Sequence, residues 1–126
     1  MIGGIIVTHG PMAQPLIEAA ETILGKTEAL RALSTTPFGL KEIVAEIEKI
    51  IDEESWAEGV MIMTSLRGGS CWNAASLVAK KILNVQVVSG VNLPMTISFL
   101  SKRQLYSLPE LAEIIKDDGI RGIVKL

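Results

Sequence analysis

Apolar positions along the chain follow two alternating rhythms. Ile5-Ile6-Val7, Val60-Met61-Ile62-Met63 and Val85–Val91 are nearly continuous aliphatic runs bounded by glycine or polar residues. Runs of this kind predict parallel strands covered on both faces. A weaker strand is predicted over Glu28–Leu33, marked by Leu30 and Leu33, and a short fifth at Ile123-Val124-Lys125-Leu126. Between the strands the period becomes helical. Leu16, Ala19, Ala20, Ile23 and Leu24 stand at i, i+3, i+4, i+7 and i+8, and Gly25 follows as a C-cap. Leu40, Ile43, Val44, Ile47, Ile50 and Ile51 repeat the stripe with charged residues between. Cys71, Ala74, Ala75, Val78 and Ile82 form a third stripe, whose small side chains allow close helix–sheet contact. Ser107-Leu108-Pro109-Glu110 has the form of a capping box. It opens a last helix with Leu111, Ile114 and Ile115 on its apolar face and Gly119 at its end. A shorter helix is read near Met95–Arg103.

The resulting order, β-α-β-α-β-α-β-α-α-β, predicts an α/β fold: a doubly wound, mostly parallel five-stranded sheet with helices on both faces. No linker, internal repeat or low-complexity segment divides it, so residues 1–126 read as a single domain. A chain this size buries about two-thirds of its surface, leaving roughly 6,500 Å² accessible. With 48% hydrophobic and 21% charged residues the composition is that of a globular chain and excludes disorder. The net charge of -2, with no like-charge run longer than Asp52-Glu53-Glu54, excludes an electrostatic nucleic-acid footprint. Cys71 is the only cysteine, which excludes an internal disulfide and suits a reducing cytosol. The apolar runs are far shorter than the ~20 residues of a spanning helix. The N-terminus lacks the basic region of a signal peptide, so a soluble protein is expected.

In doubly wound sheets ligands bind at the carboxyl ends of the strands, which directs attention to three loops. The first strand ends in Thr8-His9-Gly10-Pro11, which carries the only histidine. That imidazole is either an idle loop residue or a nucleophile, general base or ligand approached through the flanking glycine. With no second histidine and one cysteine a metal site is disfavoured, and no G-x-S-x-G elbow supports a triad. The third strand ends in Thr64-Ser65-Leu66-Arg67-Gly68-Gly69-Ser70, just before a helix. Gly-Gly-Ser there is either an ordinary helix-start loop or an anion cradle of free amides at the positive end of the macrodipole. Neither a P-loop nor a G-x-G-x-x-G fingerprint is present. The fourth strand ends in Ser89-Gly90-Val91-Asn92-Leu93-Pro94-Met95, read as plain turn chemistry. A nucleophilic nitrogen and an anion cradle on one sheet edge together suit reversible phosphoryl transfer.

Three motifs carry a resemblance over essentially the whole chain: Val7-Thr8-His9-Gly10, Gly68-Gly69-Ser70-x-x-Asn73-Ala74-Ala75-Ser76 and Gly90-Val91-Asn92-Leu93-Pro94-Met95. In order and spacing the chain resembles the IIA component of the mannose/fructose/sorbose family of the bacterial phosphoenolpyruvate-dependent sugar phosphotransferase system. The resemblance implies a cytoplasmic phosphocarrier. His9 would accept a phosphoryl group on Nε2 from the phosphocarrier protein HPr and pass it to a IIB component, in functional association with membrane IIC and IID components. Gly68, Gly69 and Ser70 match the loop that receives the phosphoryl oxygens, with no cofactor and no metal required. The resemblance also implies a homodimer in which the last strand, here Gly122–Leu126, packs antiparallel on the partner's sheet.

Two positions depart from the family pattern. The family usually has an aspartate that accepts a hydrogen bond from the histidine's Nδ1–H, where this chain has Ser65. A serine oxygen can orient the ring but brings no charge. Arg67 stands where the family more often has a neutral residue; it is either a solvated loop arginine or a clamp on the phosphoryl group. Cys71 reads as a small core residue rather than an activated thiol. Trp72 is either packing or a partner contact. An alternative function is a regulatory or degenerate IIA-like module that transfers phosphate weakly because of Ser65. An unrelated small-ligand binder fits the fold but not the three joint motifs.

Overall fold

The computed structural model describes residues 1–126 as β1 (Gly3–Thr8), α1 (Ala13–Leu24), β2 (Leu30–Ser34), α2 (Leu40–Glu54), β3 (Val60–Thr64), α3 (Ser70–Lys81), β4 (Val85–Ser89), α4 (Leu93–Lys102) and α5 (Leu108–Arg121). The strands form one parallel sheet in the order β2-β1-β3-β4. The chain runs from β1 outward to β2, then crosses to β3 on the other flank of β1. The topological switch point therefore lies between the carboxyl ends of β1 and β3. Register places Val7 beside Thr64 and, on the other flank, Thr8 beside Ser34.

Strand alternation divides the core into two layers. On one face Ile6, Met61 and Met63 pack against Ala13 and Ile17 of α1, Phe99 of α4, and Leu111 and Ile115 of α5. On the other, Ile5, Val7 and Ile62 pack against Ile43 and Ile47 of α2 and against Cys71, Ala74, Ala75 and Val78 of α3. Both faces are thus covered, which is why β1 and β3 are buried along their whole length and read as unbroken apolar runs. The glycines that open β1 are dictated by these layers. A Cβ on Gly3 would lie 1.9 Å from Trp56 Cδ2, and one on Gly4 2.8 Å from Phe99 Cζ. Each ring rests directly on the backbone of a central strand.

Two helix ends follow the sequence, one of them with a refinement. Gly25, at φ +88°, ends α1 and donates its N–H to Glu21 O at 2.8 Å. At the start of α5 the N–H and hydroxyl of Ser107 both donate to Glu110 Oε1, at 3.4 and 2.7 Å. The glutamate thus receives both donors. Glu110 is held below its ordinary pKa by the Ser107 side chain first and the Ser107 backbone second.

Two features differ from expectation within the single chain. Its sheet has four strands, all parallel, and residues 122–126 add no fifth strand to it. Residues 122–126 leave α5 without pairing to any strand, and Ile123 and Val124 are 79% and 82% exposed. A strand is held by its neighbour's ladder bonds, and within one chain this short tail has no such neighbour. Gly119 also does not end the last helix, which continues to Arg121. It instead lets α4 approach: a Cβ there would lie 3.1 Å from Met95 Cε, and Asn92 Nδ2 donates to Gly119 O at 3.0 Å.

Candidate functional site

His9 follows β1 directly, and the end of β2 holds its backbone. Thr35 donates its N–H to Thr8 O at 3.0 Å and its hydroxyl to the same oxygen at 3.3 Å. Ser34 Oγ donates to Gly10 O at 2.9 Å. Gly10, at φ +60°, then turns the chain toward α1, a conformation that suits glycine. The imidazole is left exposed at the sheet edge, at the switch point between β1 and β3.

The loop after β3 and the first turn of α3 surround that ring. Nδ1 lies 3.0 Å from Ser65 Oγ, and Nε2 lies 3.4 Å from Ser70 Oγ. Cys71 Sγ is 3.7 Å from Nδ1 and 3.9 Å from Nε2. Near-equal distances to both nitrogens put the sulfur over the ring face, because an in-plane atom at that range would collide with a ring carbon. Gly69 makes the approach possible: a Cβ there would stand 3.0 Å from His9 Cε1 and 3.3 Å from Nε2. Its φ of -80° is ordinary, so it is space rather than conformation that selects glycine.

The amides near Nε2 differ from the expected set. Gly69 N–H donates to Leu66 O at 3.2 Å, closing the turn into the helix, and Gly69 O accepts from Asn73 N–H at 3.0 Å. Of the two amides expected in the cradle, Gly69 is thus engaged within the turn and Gly68 is not. The amides without a protein acceptor are those of Gly68, Ser70, Cys71 and Trp72. They are the orphan donors of a helix start, at the positive end of the α3 dipole. No carboxylate bonds either ring nitrogen. No cluster of three or more His, Cys, Asp or Glu is placed to hold a metal ion. The unpaired amides are donors of the kind that suit an anion.

The other singled-out residues lie apart. Arg67 is exposed and makes neither hydrogen bond nor ion pair, so it does not grip His9. Trp72 is half-buried and lines a groove along the β4 edge with Val87, Ser89 and Ala112. In the third motif Asn92 caps α4 by accepting Met95 N–H at 2.9 Å, as turn chemistry predicts, and makes no bond to the site. Reading the sequence alone missed Ser34 and Thr35, which belong to the same carboxyl edge one and two residues past Leu33. It placed Cys71 in the core, which is right, without its contact to His9.

Residues 3–116 match the family described as PTS system fructose IIA component. The chain belongs to this family. The mannose-specific EIIAB component of the phosphotransferase system (PTS) of Escherichia coli (strain K12) is 29% identical over 124 residues, 97% of this chain and 38% of that protein. This EIIA-family chain thus spans well under half the length of that relative. The fructose-specific EIIA component of Bacillus subtilis (strain 168) is 27% identical over 120 residues, 92% of this chain and 80% of that one. Among solved structures, EIIA from Streptococcus agalactiae superposes with a TM-score of 0.91 over 99% of this chain and 97% of that chain, at 22% identity, a likeness of fold. The family is described by a component of the phosphotransferase system. No helix of this EIIA-family chain is long and apolar enough to cross a membrane.

Proposed function

We propose that this protein is a cytoplasmic phosphocarrier that accepts a phosphoryl group from HPr on His9 Nε2 and passes it to a IIB component for sugar uptake through membrane IIC and IID components. One observation carries the reading. The exposed imidazole has Nδ1 on Ser65 Oγ at 3.0 Å and turns Nε2 toward Ser70 at the unpaired amides that start α3.

In the transfer the Nε2 lone pair attacks phosphorus in line, and the bond from phosphorus to the HPr histidine nitrogen breaks. That nitrogen leaves with its electron pair. Charge spread over the three phosphoryl oxygens is met by the amides of Gly68, Ser70 and Cys71, the Ser70 hydroxyl and the helix dipole. The Nδ1 proton stays on the Ser65 side throughout, so the ring needs no external base. Arg67, free of any other partner, can turn its guanidinium to the same oxygens. The exposed side chains of Met12 and Leu66, 43% and 62% accessible, on the connections that follow β1 and β3, supply apolar contacts for partner proteins. The reverse step delivers the group to the IIB nucleophile.

The same reading includes a homodimer. The free edge of β4 and the groove lined by Trp72, Val87 and Ala112 suit an added strand, and the exposed apolar tail Gly122–Leu126 of a second copy suits that groove.

The direct test is incubation with phosphoenolpyruvate, enzyme I and HPr, read by intact mass, with His9→Ala as control. The expected result is an acid-labile gain of one phosphoryl group that the variant lacks. A protein left unlabelled by several HPr proteins is not a carrier.

A further inference from the structure

We propose that Thr35 and Cys71 fix the tautomer of His9 through a hydrogen-bond relay whose direction is imposed by the carbonyl of Thr8. Four contacts connect that carbonyl to the ring. Thr35 Oγ1 is 3.3 Å from Thr8 O, and Cys71 Sγ is 3.7 Å from Thr35 Oγ1. Ser65 Oγ is 3.8 Å from Cys71 Sγ, and His9 Nδ1 is 3.0 Å from Ser65 Oγ. Hydroxyls and thiols each have one proton to give, and a carbonyl oxygen only accepts. Thr35 therefore gives its proton to Thr8 O. Its own oxygen is left to accept the S–H of Cys71, and the sulfur to accept the O–H of Ser65. Ser65, its proton spent, meets Nδ1 as an acceptor, so Nδ1 carries the hydrogen. In a neutral imidazole this leaves the lone pair on Nε2.

The relay answers a difficulty specific to serine. A carboxylate only accepts, so it selects Nδ1–H unaided. A hydroxyl donates to a bare Nδ1 as readily as it accepts from Nδ1–H, and the first arrangement puts the proton on Nε2, where it blocks attack. Cys71 is fully buried and Thr35 is 4% exposed, so water does not compete for the relay's middle members. Bonds to sulfur are weak, and the role of Cys71 here is to set direction. Thr35 and Cys71 are thus positioning residues that act on the ring through Ser65.

The proposal rests on Nε2 of His9 as the phosphoryl acceptor, yet the tautomer is readable without any transfer. The experiment uses full-length protein labelled with ¹⁵N at histidine, at a pH where the ring is neutral. Long-range ¹H–¹⁵N spectra then distinguish Nδ1–H from Nε2–H, and initial phosphorylation by HPr is measured alongside. Nδ1–H predominates in the wild type. Thr35→Val keeps the volume and removes the hydroxyl, and Cys71→Ala removes the sulfur. Each moves the tautomer ratio roughly three- to tenfold toward Nε2–H. Phosphorylation falls with the Nδ1–H population, and Thr35→Ser restores both. Ser34→Ala, which loosens only the backbone tether to Gly10, leaves the ratio unchanged. A wild-type ratio in both Thr35→Val and Cys71→Ala overturns the relay, as does predominant Nε2–H in the wild type. A shifted ratio in a protein that HPr never labels supports the relay and refutes the carrier. Normal labelling with unshifted ratios does the reverse.

Discussion

Gly69→Ala separates the catalytic geometry from the stability of the fold. The added Cβ stands 3.0 Å from His9 Cε1, 3.3 Å from Nε2 and 3.4 Å from Leu66 O. A carbon contact relaxes at about 3.5 Å, so the ring must retreat by about 0.5 Å or α3 must shift as far. Nδ1 is already 3.0 Å from Ser65 Oγ and the sulfur of Cys71 lies over one ring face, so the ring has little room to turn within its rotamer. Leaving the rotamer costs about 0.5–1.5 kcal/mol. A 1 Å misplacement of a reacting group costs about 10²-fold in rate, so half that displacement predicts about a tenfold slower phosphorylation of His9. Stability should scarcely change, because φ at Gly69 is -80° and alanine adopts it without strain. The assay pairs the initial rate of labelling by HPr with a urea melt. A Gly69→Ala protein that labels at the wild-type rate, with an unmoved His9 spectrum, would show that the approach of α3 to the ring does not set the reactive position.

The opposite dissociation is expected at Gly3→Ala, far from the site. Its Cβ would lie 1.9 Å from Trp56 Cδ2, and overpacking of this kind should cost about 3 kcal/mol in a urea melt. A loss below ~0.5 kcal/mol would mean that Trp56 is free to move aside. Asp118 accepts from Ser98 Oγ, Lys102 Nζ and Arg121 Nη2, each at 2.6 Å. Lys102 first, then Ser98 and Arg121, hold its carboxyl well below the usual range. A depressed carboxylate stabilises the fold above its unfolded pKa and loses that contribution as pH falls below about 4. Asp118→Asn should therefore cost about 1 kcal/mol at pH 7, with the difference from wild type shrinking in melts taken down to pH 3. A difference independent of pH would refute the ion-pair account. Deleting residues 122–126 should give a folded monomer by analytical ultracentrifugation, and a persistent dimer would sink the tail-exchange arrangement.

What could be read from the sequence follows the range of the interactions that decide each element. Val60–Met63 became β3 almost residue for residue, since a strand covered on both faces needs apolar side chains at every position. The stripes of α2 and α3 were equally legible, because each helix buries one side against the sheet. Gly119 was misread because a glycine near a helix end serves equally as a stop or as a close contact. The choice belongs to Met95, 24 positions earlier in the chain. The tail is a related case: Ile123-Val124 has the composition of a strand, but pairing is a property of a neighbour, and within one chain it pairs with none.

The site divides in the same way. His9, Ser65 and Ser70 were legible because strand ends in a doubly wound sheet converge, and the order β2-β1-β3-β4 brings the ends of β1 and β3 together. The capture of the Gly69 amide by Leu66 was not, since which amide closes a turn depends on backbone angles that Gly68, at φ +82°, leaves open. Cys71 is the instructive case. Helical periodicity assigned it to the core, and it is fully buried there, yet the same side chain touches His9, Ser65 and Thr35. Periodicity reports which side of a helix faces inward, and at the first turn of α3 inward also means toward the imidazole. A carboxylate at position 65 would orient the ring by charge alone. With serine there, orientation falls to the polarity of neutral donors and acceptors, and that polarity is dictated by the buried groups behind the serine.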